Sequence, residues 1–186
     1  LLSICCPAIG SRLMLFSGGA ATIGPGIVVG EDYGTEAMRS HQDFEKGTAK
    51  YYKKACTFYH KLGERLVGDS HTLDIFAGSL DQTGVAEAKA AVEYSGGVLV
   101  LSETFNSPTF RTSFAKLLAA DEQTRELRVA SNATFEVKTG RELKLSGASG
   151  PLASLRKPGP NVAEAEIGLG GTCQWRMCAL DENTTL

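Results

Sequence analysis

Three short apolar runs, at residues 13–16, 73–77 and 98–101, are separated by stretches in which apolar residues recur every three or four positions. This alternation constrains the fold more than any other feature of the chain. Runs of four or five apolar residues suit strands buried on both faces of a parallel sheet, and helical spacing suits the right-handed crossovers between them. The run Leu13-Met14-Leu15-Phe16 ends at Ser17-Gly18-Gly19, where the chain leaves the sheet. Gly24-Pro25-Gly26 then forces a turn, Ile27-Val28-Val29 reads as a brief extended piece, and a polar loop follows through Ser40. Asp43 is expected to cap one helix over residues 44–67, with Tyr52, Cys56, Tyr59, Leu62 and Leu66 on its apolar stripe. Lys50, Lys53, Lys54, Lys61 and Arg65 fall largely off that stripe, as a solvated face would require. Further helices are expected at residues 85–94 and 108–120, the latter with Pro108 in its first turn and Phe110, Phe114, Leu117 and Leu118 on one side.

Around Asp121 the period changes from helical to two. Phe135 and Val137, then Leu143 and Leu145, alternate with charged residues, and Thr139-Gly140 between them reads as a hairpin turn. Gly147, Gly150, Pro151, Pro158 and Pro160 punctuate a connection, after which Cys173, Trp175 and Met177 alternate in another strand. No helix is expected after Ala120. The expected fold class is α/β over residues 1–121, followed over residues 122–186 by strands of an antiparallel barrel or sandwich, too few to close it. The chain opens without an initiator methionine inside an apolar stretch, so residues upstream are expected.

Composition narrows the function classes. Hydrophobic residues at 42% and charged residues at 22% fit a soluble globular core, and a net charge of −2 gives no global field for nucleic acid. The five cysteines form no C-x-x-C pair, which argues for a reducing compartment over a disulfide framework or zinc ribbon. Cys173 and Cys178, five residues apart along a strand, would point to opposite faces and could not share a metal. The sequons at Asn132 and Asn183 do not establish secretion, and no window approaches the roughly 18 apolar residues of a membrane span.

A search for catalytic chemistry finds little. The glycine-rich stretch Gly18–Gly26 has no lysine before Lys46 and no G-x-G-x-x-G, so it reads as a turn permitting close chain approach rather than a phosphate loop. His41, His60 and His71 fall in a loop, on a helix and at the start of a strand, with no nucleophile elbow. Asp74, inside an apolar run, is expected to be satisfied by a neighbouring hydroxyl or amide, and Glu31-Asp32 to be a solvated loop.

Four phrases are more specific: Gly18-Gly19-Ala20-Ala21-Thr22-Ile23-Gly24-Pro25-Gly26-Ile27-Val28-Val29, Leu80-Asp81-Gln82-Thr83-Gly84, Ser146-Gly147-Ala148-Ser149-Gly150-Pro151 and Gly170-Gly171-Thr172-Cys173-Gln174-Trp175. In this order they resemble the GTPase-activating inner-coat subunit of coat protein complex II. The resemblance implies a trunk of von Willebrand factor A type followed by strands of a β-barrel. Ser17-Gly18-Gly19 stands where metal-binding members of that wider fold carry Thr-Asp-Gly, which removes a carboxylate from any adhesion-type metal site. It further implies a chain that is not itself an enzyme. The arginine inserted beside the GTPase's nucleotide belongs to a helical region outside this sequence, as does the family's four-cysteine zinc site, so no cofactor is expected here. Implied partners are the cargo-adaptor coat subunit, the small coat GTPase, the outer-coat subunits and, peripherally, the endoplasmic reticulum membrane. The candidate contact is the loop Ser102-Glu103-Thr104-Phe105-Asn106 after the third strand, with Phe105 as a core plug the competing account. A free-standing binding module of the same trunk class, a nucleotide-using α/β protein and the cargo-adaptor paralogue are the alternatives.

Overall fold

The computed structural model describes residues 2–31, 38–182 and 184–185. Asp32, Asn183 and most of the expected polar loop before Ser40 lie outside the described residues. After a short helix α1 (Leu2–Cys5), strands β1 (Arg12–Ser17), β2 (Thr72–Gly78) and β3 (Leu99–Ser102) form a parallel sheet in that order. Helices α2 (His41–Lys46) and α3 (Tyr52–Gly68) connect β1 to β2, α4 (Val85–Ser95) connects β2 to β3, and α5 (Pro108–Leu117) follows β3. A second, antiparallel sheet has the order β4 (Val129–Glu136), β6 (Gln174–Asp181), β5 (Ala153–Ser154). Among the described residues no helix follows α5 and no helix is long and apolar enough to cross a membrane.

Alternation along β2 explains both layers of the first sheet. Leu73 and Ile75 point to one face, where Leu66, Ala88, Ala91 and Val92 complete a core with α3 and α4. Phe76 points to the other, where Phe16, Phe110 and Phe114 stack edge and face against it at centroid distances of 5.2–5.7 Å. β2 is buried almost throughout because it has a neighbour on each side, whereas β1 is an edge strand. Leu15 and Phe16 are therefore 48% and 49% exposed rather than buried on both faces.

The single helix expected from residue 44 is two. Ser40, not Asp43, is the N-cap of α2: its hydroxyl accepts from the Asp43 N–H, and the Asp43 carboxylate accepts from the Ser40 N–H at 2.7 Å, a capping box. Gly47 then takes a left-handed conformation (φ 66°) and ends the helix, and α3 begins at Tyr52. His41 accordingly opens α2 instead of lying in a loop. Ile27-Val28-Val29 is not a strand, although Val28 and Val29 are buried and both N–H groups donate to Ala21 O.

The expected hairpin does not form. Thr139-Gly140 does turn the chain, with Leu143 N–H donating to Gly140 O at 3.1 Å, but β4 pairs with β6, and Leu145 makes a parallel bridge to Val162. The β4–β6 pairing brings Phe135 beside Trp175 (5.9 Å between ring centroids) over a core with Leu152 and Met177. The two sheets are joined by apolar contact of Val67 and Tyr94 with Ala153 and Cys178.

Candidate functional site at the carboxyl edge of the parallel sheet

In an open parallel sheet the loops leaving the carboxyl ends of the strands converge, and ligands or partners are met there. Here that edge carries a cleft of about 820 Å³. Its floor is Ala77 and Leu101, its walls include Ser79, Asp81, Gln82 and Glu103, and Arg39, His41 and Phe44 close one side. Ser102 and Glu103 of the expected contact loop line this cleft; Thr104, Phe105 and Asn106 do not.

The loop is built by local hydrogen bonds. Ser102 Oγ donates to Thr104 O (3.1 Å) and Ala77 O (3.4 Å), and Ser107 N–H donates to Thr104 O (3.1 Å), which folds the chain back before α5. Ser107 caps α5 through its hydroxyl, which accepts from the Phe110 N–H at 3.2 Å, and Pro108 supplies a preset φ in the first turn. The Phe105 ring lies over Gly78, where a Cβ would sit 3.0 Å from it, and meets Phe16 and Phe110 at 6.1 and 5.4 Å. Its remaining exposure is 37%.

One wall of the cleft is held by a buried ion pair that sequence reasoning missed. Arg39 Nη2 lies 2.5 Å from Glu87 Oε2, with side-chain exposures of 7% and 0%, while Nη1 donates to Gln82 Oε1 at 3.0 Å. The guanidinium also covers the Phe44 ring at 5.0 Å. Arg39 thereby fastens the segment before α2 to the loop after β2 and to α4. A signal existed: Glu87 lies on the same helix stripe as Ala88, Ala91, Val92 and Ser95, all buried, and a carboxylate there requires a partner.

The remaining titratable groups are dispersed. Asp74 is wholly buried, as expected, but its chief partner is a guanidinium: Arg12 Nε and Nη2 approach its oxygens at 2.5 and 2.9 Å, and the Val98 N–H adds a bond of 2.8 Å. His60 pairs with the Tyr94 hydroxyl (3.0 Å), and buried His71 accepts from the Ser11 N–H through Nδ1 (3.3 Å). Neither stands near a nucleophile at the cleft. Burial pushes the Tyr59 hydroxyl and the Cys56 thiol up from their ordinary values. Among the described residues no cluster of three His, Cys, Asp or Glu is arranged to hold a metal.

The structure thus defines an α/β unit with a ligand-accessible carboxyl edge, docked on an antiparallel β unit. Residues 1–119 match the family model described as the Sec23/Sec24 trunk domain. Over all 186 residues the chain is 44% identical to protein transport protein SEC23 F and 42% identical to protein transport protein SEC23 C, both of Arabidopsis thaliana. Each alignment covers 100% of this chain and 24% of the relative, so the chain spans about a quarter of the length of these curated relatives. The chain belongs to the Sec23/Sec24 trunk domain family, with Sec23 proteins among its relatives.

Proposed function

We propose that this chain is the trunk of an inner-coat subunit of coat protein complex II and acts in protein transport from the endoplasmic reticulum to the Golgi. The observation that carries this reading is the 44% identity to a plant protein transport protein over 186 residues, through both sheets. In this reading the α/β half, ending near residue 121, is of von Willebrand factor A type, and residues 122–186 contribute strands to a β-barrel. The chain is a contact platform and not an enzyme. Activation of the coat's small GTPase comes from an arginine outside these residues, and zinc is held by the whole protein, with no cofactor in this part. The partners are the cargo-adaptor subunit, the small GTPase and the outer-coat subunits, on a protein that lies peripherally on the endoplasmic reticulum membrane and its vesicles.

The loop Ser102-Glu103-Thr104-Phe105-Asn106 is the proposed contact, supported by its place at the carboxyl edge and by the exposure of Glu103, Thr104 and Asn106. The full-length protein and its Phe105→Ala variant are to be titrated against purified adaptor subunit, GTP-analogue-loaded GTPase and outer-coat subunit. An affinity at least tenfold weaker for one partner, in a variant with a native circular dichroism spectrum, supports the loop. Unchanged affinity for all three removes the loop from the proposal, and failure of the wild type to bind any of them removes the coat function itself. The 186-residue chain alone is expected to leave GTP hydrolysis at its basal rate; acceleration would place the catalytic group inside it.

A further inference from the structure

We propose that Ser107 is a phosphorylation site for a proline-directed serine/threonine protein kinase. Six prolines occur in the chain, preceded by Cys6, Gly24, Ser107, Gly150, Lys157 and Gly159, so Ser107-Pro108 is the one place where a hydroxyl residue precedes proline. A residue before proline is held extended, as a kinase cleft requires of its acceptor, and Ser107 already has φ −65° and ψ 148°. The chain on either side is accessible: Glu103, Thr104, Asn106, Pro108 and Thr109 are exposed. Helix α5 contains no fully buried residue and is held to the sheet through Phe110 and Phe114; Phe110 lies in the first turn, so opening that turn releases its contact with Phe76 and leaves the Phe114–Phe76 contact to hold the helix.

The γ-phosphoryl group of ATP passes to Ser107 Oγ. The new O–P bond forms as the bond to the bridging oxygen of the departing ADP breaks, and the hydroxyl proton goes to the kinase's base. The product suits its site. Ser107 Oγ already accepts the Phe110 N–H, and phosphate oxygens can take over that bond at the positive end of the helix dipole. Arg111, one turn along, is exposed, donates to Asn106 Oδ1 beside Ser107, and makes no ion pair among the described residues. A phosphate at Ser107 gives that guanidinium a partner of opposite charge and adds about two negative charges to the end of the loop. None of this depends on the coat reading.

The full-length protein, folded, is to be incubated with ATP and a purified cyclin-dependent kinase, and the phosphate located by peptide mass spectrometry. Phosphate on Ser107 is expected, at an initial rate at least tenfold lower in Pro108→Ala, whose melting temperature reports whether it remains folded. The phosphorylated protein is expected to melt no lower than the unmodified one, in contrast to Ser107→Ala, which loses the cap. The site is overturned by an unmodified Ser107, by modification only after heat denaturation, or by an equal rate in folded Pro108→Ala. Melting of the phosphorylated form below Ser107→Ala overturns the docking of the phosphate on α5.

Discussion

Asp74 sits in the middle of β2 with no solvent exposure, between Arg12 of the neighbouring strand and the backbone of Val98. A charge in that position is tolerated because both carboxylate oxygens are met, and removing the guanidinium leaves it buried with one amide partner. Arg12→Ala is therefore expected to cost about 3 kcal/mol of folding stability, the lower end of the range for breaking one side of a buried pair, because the Arg12 side chain is 20% exposed. Asp74→Asn keeps an acceptor for Val98 and is expected to cost less. Urea denaturation of the three proteins orders them, and an Arg12→Ala loss below that of Asp74→Asn would show that water replaces the guanidinium. Cys178 makes a different prediction. Burial raises its thiol from 9.0 to about 11. The folded chain then holds this proton more tightly than the unfolded chain, so the contribution is fully present below pH 9 and is lost as pH rises through about 11. Cys56 and Tyr59 shift in the same direction, so the quantity to measure is the difference in pH slope between wild type and Cys178→Ala. Equal slopes would mean that the site is wet.

At the scale of elements, α2 shows how a local signal is displaced by a few residues. The Asp43 carboxylate is held below its usual value chiefly by the Ser40 N–H, then by the hydroxyls of Ser40 and Thr48. A depressed carboxylate supports the folded form above 3.8 and ceases to do so as pH falls through its lower folded value. Ser40→Ala is expected to destabilise α2 by about 1 kcal/mol. Separately, the α2 amides are expected to lose hydrogen-exchange protection as acid protonates Asp43; protection unchanged down to pH 2 would show that the carboxylate side of the box is idle. Asp43 was legible as a helix-start residue because the acid precedes an apolar-periodic run. It is the third helical residue of a box whose serine is the cap, and only the left-handed Gly47 reveals that the run is interrupted. The three parallel strands were legible for a stronger reason, since short apolar runs between helical segments leave few other arrangements. β4 was legible as a strand but not in its pairing. The Thr139-Gly140 turn forms, yet the partner of Phe135 is Trp175, forty residues on, because that pairing buries the tryptophan and supplies Leu169 O to its indole N–H at 2.7 Å.

Across the whole molecule, the features that sequence could not show are those joining distant residues. The contact loop after β3 could be placed from chain order alone, but the Arg39–Glu87 pair that shapes its cleft links positions 48 apart. The polar seam between the two sheets spans still more chain. Arg176 on β6 donates to Ser70 Oγ at 2.6 Å and to Asn132 Oδ1 on β4, and Ser70 donates to Asn132 at 2.7 Å. Ser70 and Asn132 both adopt left-handed backbone (φ 61° and 56°), a conformation that Asn tolerates and Ser pays for unless its surroundings fix it. Because Ser70 closes the crossover from α3 to β2, this seam ties the α/β core directly to the antiparallel sheet, beside the apolar contact of Val67 with Ala153 and Cys178. Arg176→Ala removes the donor common to both bonds and is expected to cost about 1.5–3 kcal/mol, the range for hydrogen bonds to a charged group. The loss should fall on the junction rather than on either core. Urea unfolding followed by Trp175 fluorescence, which reports the antiparallel sheet, is expected to move to lower denaturant than unfolding followed by far-UV circular dichroism, which is dominated by the helices. Coincident transitions shifted together would mean that the apolar contact and the remaining Ser70–Asn132 hydrogen bond keep the two sheets a single cooperative unit without Arg176.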